Sequence, residues 1–292
     1  MYGCFRLKRS IIILAAVLMV SVLFLAIRQA APLGVQVAAL APQEGIFVPI
    51  VMYHSVHEKA QPSNEYELST KVLEADLKYL QEQGYTAVFV TDLIAYVYND
   101  APLPEKPVIL TFDDGYYNNL TDVLPLLEKY DMKAVVSPVG KFVENAVNEN
   151  DPAPRYSYLT WDNIKELLRS NRIEIGNHSY NMHSLQGRRG TLKKWGESQE
   201  EYIQALTNDV SNLQKLMQEN AGYTPVTFAY PYGFVSKESV QVLKSLGFKA
   251  ALSSYEKPNY ITKDPDVLMH LNRYNRPTTM STKNFMERAL SQ

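Results

Sequence analysis

The sequence has one cysteine, few tryptophans and no excess of either charge. The cysteine is Cys4, so no intrachain disulfide can form and the fold must rest on core packing. No cysteine follows that a lipid could be attached to. Basic and acidic residues number 29 and 31, a formal net charge of −2. That balance gives no reason to expect nucleic acid as a partner, and no basic run interleaved with aromatics occurs. There is no internal repeat and no low-complexity stretch beyond a short Ala- and Pro-rich segment. Tyrosine runs against the pattern of scarcity, with 20 residues against 10 Phe and 2 Trp. Its flat apolar face and hydroxyl suit sugar rings and ordinary cores alike.

One long apolar run is present. Arg6, Lys8 and Arg9 precede seventeen uncharged residues, 11–27. A positive flank before an apolar segment marks a secretory signal or a signal anchor. The expected organisation is a basic cytoplasmic flank at 1–10, a transmembrane anchor helix at 11–27, a tether at 28–45 and one domain at 46–292. The domain would then stand outside a bacterial cell membrane on a single span. If "VAALA" (37–41) is a cleavage site, the domain is secreted instead.

Beyond the tether, strand and helix patterns alternate. Apolar strand runs fall at 46–54, 86–90, 106–112, 133–139, 172–177, 225–231 and 248–254. Helical periodicity falls between them, at 71–84, 91–98, 120–130, 159–170, 199–219 and 236–247, with Thr160 and Ser236 placed as N-caps. Short strands buried on both faces and separated by helices predict an α/β fold with a parallel sheet, here a distorted (β/α) barrel of about seven strands. In such folds the reactive groups sit on loops after the carboxyl ends of strands.

The polar clusters fall there. "VILTFDDGYYNN" runs an apolar strand straight into Asp113, Asp114 and Gly115. Adjacent carboxylates repel, so the pair is either a turn cap with a solvated neighbour or a site where one binds a cation and the other takes a proton. "EIGNHSYNMHS" places His178 and His183 five apart after another strand, a spacing that fits neither one helix face nor one strand face. A loop must turn both inward if they share a partner. One carboxylate and two imidazoles suit Zn²⁺ or a similar divalent ion with positions left open. "FAYPYG" (228–233) follows a third strand, and its turn is placed to present a backbone N–H.

"TFDDG", the "HS" segment with its second histidine, and "PYG", in that order at strand ends, resemble the polysaccharide deacetylases, the NodB-homology group of carbohydrate esterases. The resemblance covers roughly residues 48–280. It implies a distorted barrel and metal-dependent removal of acyl groups, mostly N-acetyl from glucosamine polymers. It further implies that Asp113 is the general base, that Asp114, His178 and His183 bind the metal, and that Tyr232 gives a backbone N–H to the oxyanion. The metal would be Zn²⁺, with Co²⁺ or Ni²⁺ as alternatives. The substrate would be an N-acetylglucosamine polymer of the cell surface, poly-N-acetylglucosamine or peptidoglycan.

Three departures stand out. The family's histidines are usually four apart, and here Met182 occupies that place; "HSYNMH" resembles the exopolysaccharide-type members. The family's base-orienting Arg is replaced by Ala229, leaving Arg273 or Arg276 of "HLNRYNRP" to substitute. The late "L-x-H" acid matches His270 in "LMH". His54, ending the first strand, is placed for substrate contact or for support of the site. Two other readings remain open at this level: a glycan-binding protein that has lost catalysis, and an O-acetyl (xylan-type) esterase.

Overall fold

The computed structural model describes residues 44–60, 64–149 and 156–291. The expected flank and anchor, and all of the tether but residues 44 and 45, lie outside them. Among the described residues no helix is long and apolar enough to cross a membrane.

The elements run β1 (Ile50–Tyr53), α1 (Thr70–Glu82), α2 (Val90–Asn99), β2 (Pro107–Asp114), α3 (Leu124–Lys129), β3 (Ala134–Pro138) and α4 (Gly140–Glu149). Then come α5 (Trp161–Arg169), β4 (Ile173–Ile175), α6 (Gln199–Ala221), β5 (Thr227–Ala229), α7 (Lys237–Ser245), β6 (Ala250–Leu252), β7 (Tyr274–Asn275) and α8 (Thr282–Ala289). Parallel pairing runs β7-β1-β2-β3-β4, and β5 pairs with β6. Single parallel bridges join Asn177 to Phe228 and Leu252 to Leu271. These bridges link the two sheets at both ends, so the architecture is α/β with a parallel central sheet, consistent with a distorted barrel.

Side chains along the strands alternate between two apolar surfaces, which is why the strand runs read as continuously hydrophobic. Ile50, Ile109, Val135, Ala229, Ala250, Leu252 and Leu271 form one buried cluster. Val51, Leu110, Val136, Ile173 and Ile175 belong to another, shared with Leu73, Leu77 and Leu80 of α1.

Thr160 and Ser236 cap α5 and α7 as their sequences predict, each hydroxyl accepting from the backbone N–H three residues on. Strand pairing in 86–90 is limited to Thr86 and Ala87. Val90 already opens α2, because the Asp92 carboxylate accepts from the Phe89 N–H at 2.8 Å and starts the helix there. Helices α4 and α8 carry no sequence expectation.

Of the two candidate arginines, Arg276 is structural. Its fully buried guanidinium holds Asp76 of α1 at 2.7 and 3.1 Å, with Tyr53 and Thr282 on the same carboxylate. This knot ties α8 to α1, and removing either charge would strand the other in the core, at about 3–5 kcal/mol.

Candidate active site

β2 is buried along its whole length and carries both carboxylates to its end. The chain then turns sharply: Asp114 and Gly115 both take positive φ, 70° and 76°. A Cβ on Gly115 would lie 2.5 Å from the Cβ of Pro138 on β3, so only glycine fits beneath the pair. Along β2, Ile109, Thr111 and Asp113 share one face. Arg273, one residue before β7, lies fully buried against that face.

Arg273 grips Asp113 with two parallel bonds, Nη1 to Oδ1 at 2.7 Å and Nη2 to Oδ2 at 2.8 Å. Its Nη1 also donates to Thr111 Oγ1 at 3.2 Å, and its Nε donates to the Ser253 carbonyl at 2.7 Å. Burial alone would raise Asp113, but the guanidinium more than reverses this and holds the carboxyl well below its ordinary value. Asp113 is therefore an ionised, oriented carboxylate with almost no exposure. Of the two arginines open in the sequence, Arg273 meets Asp113.

Asp114, His178 and His183 come together: one ligand atom from each lies within 4.8 Å of the others. Their fit to a cation follows from proton positions. His178 Nδ1 is 2.7 Å from the Ala229 carbonyl, which can only accept, so Nδ1 carries the hydrogen. Burial pushes His178 down to about 4, which keeps the ring neutral near pH 7 and leaves a lone pair on Nε2. That lone pair lies 3.5 Å from Asp114 Oδ1, and His183 Nε2 lies 3.1 Å from the same oxygen. Yet Oδ1 is buried with no donor in good hydrogen-bonding geometry, and the nearby carboxylate raises His183 against its burial. Two nitrogens and an orphaned carboxylate oxygen facing one gap suit a divalent ion; without one, the His178 lone pair and the anion repel. Burial opposes the charge on Asp114, and the neighbouring imidazoles outweigh it and lower this carboxyl.

The five-residue histidine spacing resolves as a loop. Ser179 takes φ 68°, and Met182 turns away into the apolar cluster of Tyr202, Leu206 and Val210 on α6. His183 is thereby left facing His178, ring centres 5.2 Å apart.

His54 and Tyr232 flank the set. His54 is lowered by burial, against the pull of both carboxylates, and stands edge-on to Tyr66 at 4.8 Å. Tyr232 takes φ 57°, a left-handed backbone conformation that is costly for a residue with a side chain. Gly233 lets the turn close against Ser254, whose Oγ would lie 1.9 Å from an added Cβ. The Tyr232 ring packs on His183 at 4.6 Å, and its hydroxyl is 3.4 Å from His183 Nδ1.

His270 does not join them. It ends the 3-10 turn Pro265–His270, is exposed, and has Asp266 of the same turn as its charged neighbour. The general-acid expectation for His270 finds no support here: Leu268 and Met269 of "LMH" are buried, His270 itself faces outward, and Arg273 follows three residues on, just ahead of β7.

Several residues near Asp114, His178 and His183 carry no sequence expectation. Tyr116 and Tyr158 stack at 5.0 Å, and Phe142 packs on Tyr158 and stands edge-on to His183 at 5.6 Å. Tyr116 directly follows "DDG", a position from which it could have been found; Phe142 and Tyr158 have no local signal. Tyr66 and Tyr232 are the exposed members of this aromatic rim.

The polysaccharide deacetylase family model matches residues 100–251, and the chain belongs to that family. A poly-beta-1,6-N-acetyl-D-glucosamine N-deacetylase of Escherichia coli (strain K12) is 27% identical over 217 residues, 68% of this chain and 32% of that protein. One of the same description from Staphylococcus aureus (strain MRSA252) is 23% identical over 66% of this chain and 62% of its own. The chain thus spans about a third of the length of the first relative and less than two thirds of the second. Among solved structures, a de-N-acetylase from Aggregatibacter actinomycetemcomitans is 26% identical with a TM-score of 0.70, covering 82% of this chain and 99% of its own. IcaB from Ammonifex degensii has a TM-score of 0.65 at 22% identity over 85% and 97%, a likeness of fold.

Proposed function

We propose that the chain is a divalent-metal-dependent N-deacetylase acting on an N-acetylglucosamine polymer of the cell surface, with poly-N-acetylglucosamine as the favoured substrate. One observation carries the reading: an orphaned carboxylate oxygen and two imidazole nitrogens converge beside an ionised, arginine-held carboxylate. The relatives described as poly-beta-1,6-N-acetyl-D-glucosamine N-deacetylases support the choice of polymer. The apolar run at 11–27 supports an attachment to the outer face of a bacterial membrane.

Asp114, His178 and His183 would hold the ion, Zn²⁺ by the donor set, with Co²⁺ or Ni²⁺ as alternatives. When bound, it supplies Lewis acidity toward the acetyl carbonyl and the attacking water. Asp113 accepts the water proton, and Arg273 keeps it ionised and aimed. The Tyr232 backbone N–H donates to the developing oxyanion, a contribution of about 3 kcal/mol for such a donor. The leaving amine needs that proton, and His54, which feels the charge of both carboxylates, would pass it on. Tyr66 and Tyr232 offer aromatic faces to sugar rings on either side. Acetate and a free amino sugar are the products.

The reading of a protein without catalysis leans on Ala229, and the Arg273 grip on Asp113 removes that support. The O-acetyl alternative is separated by substrate. Metal-loaded protein should release acetate from β-1,6-linked N-acetylglucosamine oligomers and much less from acetylated xylan. The reverse preference would overturn the N-acetyl assignment.

A further inference from the structure

The loop that carries both histidines is secured from behind by a carboxylate that touches neither. Asp209, partly buried on α6, accepts from the Tyr180 N–H through Oδ1 at 2.8 Å and from the Asn181 N–H through Oδ2 at 2.9 Å. Those two amides lie midway between His178 and His183. Burial raises Asp209 above its ordinary value, and the two amide bonds only partly offset that cost. Of the ion pairs among the described residues, none includes Asp209. The Arg188 guanidinium, itself paired with Glu197, relieves it only from a distance, and a costly carboxylate kept here without an ion pair calls for a reason.

The reason lies in the histidine spacing. One residue more than four between the ligands has to be absorbed by the backbone, and Ser179 absorbs it at φ 68°. From that strained residue the chain must come back so that Met182 enters the α6 cluster and His183 faces Asp114. Tyr180 and Asn181 make that return, and no strand or helix pairs their N–H groups. Asp209 takes both at once, one per oxygen, and so fixes the direction in which the loop reaches His183.

We infer that Asp209 is a positioning residue that sets metal affinity by holding the Tyr180–Asn181 backbone, and hence His183, in register with Asp114 and His178. The inference rests on the proposed metal site. Outer partners that orient ligands typically change metal affinity by about 10- to 100-fold. Asparagine at 209 keeps the shape but presents an NH₂ to one of the two amides, which replaces an acceptor with a second donor.

The test uses the full chain, wild type and Asp209→Asn, with Zn²⁺ affinity measured by chelator competition. Visible absorption of the Co²⁺-loaded forms and the rise in Tm on adding metal are recorded alongside. Asp209→Asn is expected to bind Zn²⁺ at least about tenfold more weakly, with an altered Co²⁺ spectrum and a smaller metal-induced rise in Tm. Activity lost at limiting Zn²⁺ should return in excess. Because the Tm increment compares one variant with itself, a general loss of stability does not imitate the effect. If Asp209→Asn does not fold, Asp209→Glu takes its place under the same tenfold criterion. A folded variant with wild-type affinity and an unchanged Co²⁺ spectrum overturns the inference alone. Failure of the wild type to bind Zn²⁺ removes the metal-site reading and this inference with it.

Discussion

Asp113→Asn should keep wild-type metal content and lose turnover by about 10²- to 10⁴-fold, the usual contribution of a positioned general base. The amide retains the shape of the carboxylate and still accepts from Arg273 through one oxygen, but its NH₂ meets the other Nη and the guanidinium loses its counter-charge. A stability loss of about 3–5 kcal/mol accompanies the change, while the Asp114, His178 and His183 set does not depend on that carboxylate. What disappears is the one carboxylate of the pair that lies outside the Asp114, His178 and His183 set. The informative comparison is Asp114→Ala, which should lose metal and activity together. Measuring Zn²⁺ content beside kcat separates the two carboxylates, which adjacency in the sequence cannot. Near-normal kcat in metal-replete Asp113→Asn would end the assignment of Asp113 as base.

Arg273→Met should combine the second-largest catalytic loss with a shift in pH dependence. Asp113 sits where burial raises its pKa, and the guanidinium is what lowers it. In the wild type the folded-state value is depressed below the unfolded one. The pair therefore contributes stability above the ordinary carboxylate value, lost as pH falls through the folded value. With methionine at 273 only the His178 and His54 imidazoles oppose desolvation, and the carboxyl rises. The acid limb of kcat/KM, which reports the free enzyme's base, should move to higher pH. A misdirected base should cost about 10²-fold in turnover. The stranded carboxylate should cost about 3–5 kcal/mol in stability at neutral pH. Both are read from pH–rate profiles and urea unfolding of the same preparation. An acid limb that stays in place would mean that Arg273 does not tune Asp113.

Much of the site was legible because its residues are local. Asp113 and Asp114 end an uninterrupted apolar strand, and a carboxylate pair in that place has few reasons to exist. His178 and His183 follow another strand end, and their awkward spacing already required a loop. The capping residues Thr160 and Ser236 were legible for the same reason, since a cap acts over three residues.

What was not legible depends on distant packing. Arg273 and Arg276 stand three apart in "NRYNRP" and look equivalent. One enters the face of β2 that bears Asp113, and the other is drawn to Asp76, 200 residues away. His270 matched a position in the chain order, but the 3-10 turn puts it on the surface. Phe142 and Tyr158 reach the metal set only through tertiary contacts. Asp209 lies in the middle of a long helix with nothing in its neighbourhood to mark it, because its partners are backbone amides of another segment.

The central claim is that a divalent ion held by Asp114, His178 and His183 enables this chain to remove N-acetyl groups. The most direct measurement is acetate release from N-acetylglucosamine oligomers by the metal-stripped chain, before and after Zn²⁺ is restored to one equivalent. The account predicts no release from the stripped protein, release on reloading, and none from Asp114→Ala under either condition. Release that persists without metal, or its absence with Zn²⁺ bound at full occupancy, would contradict it.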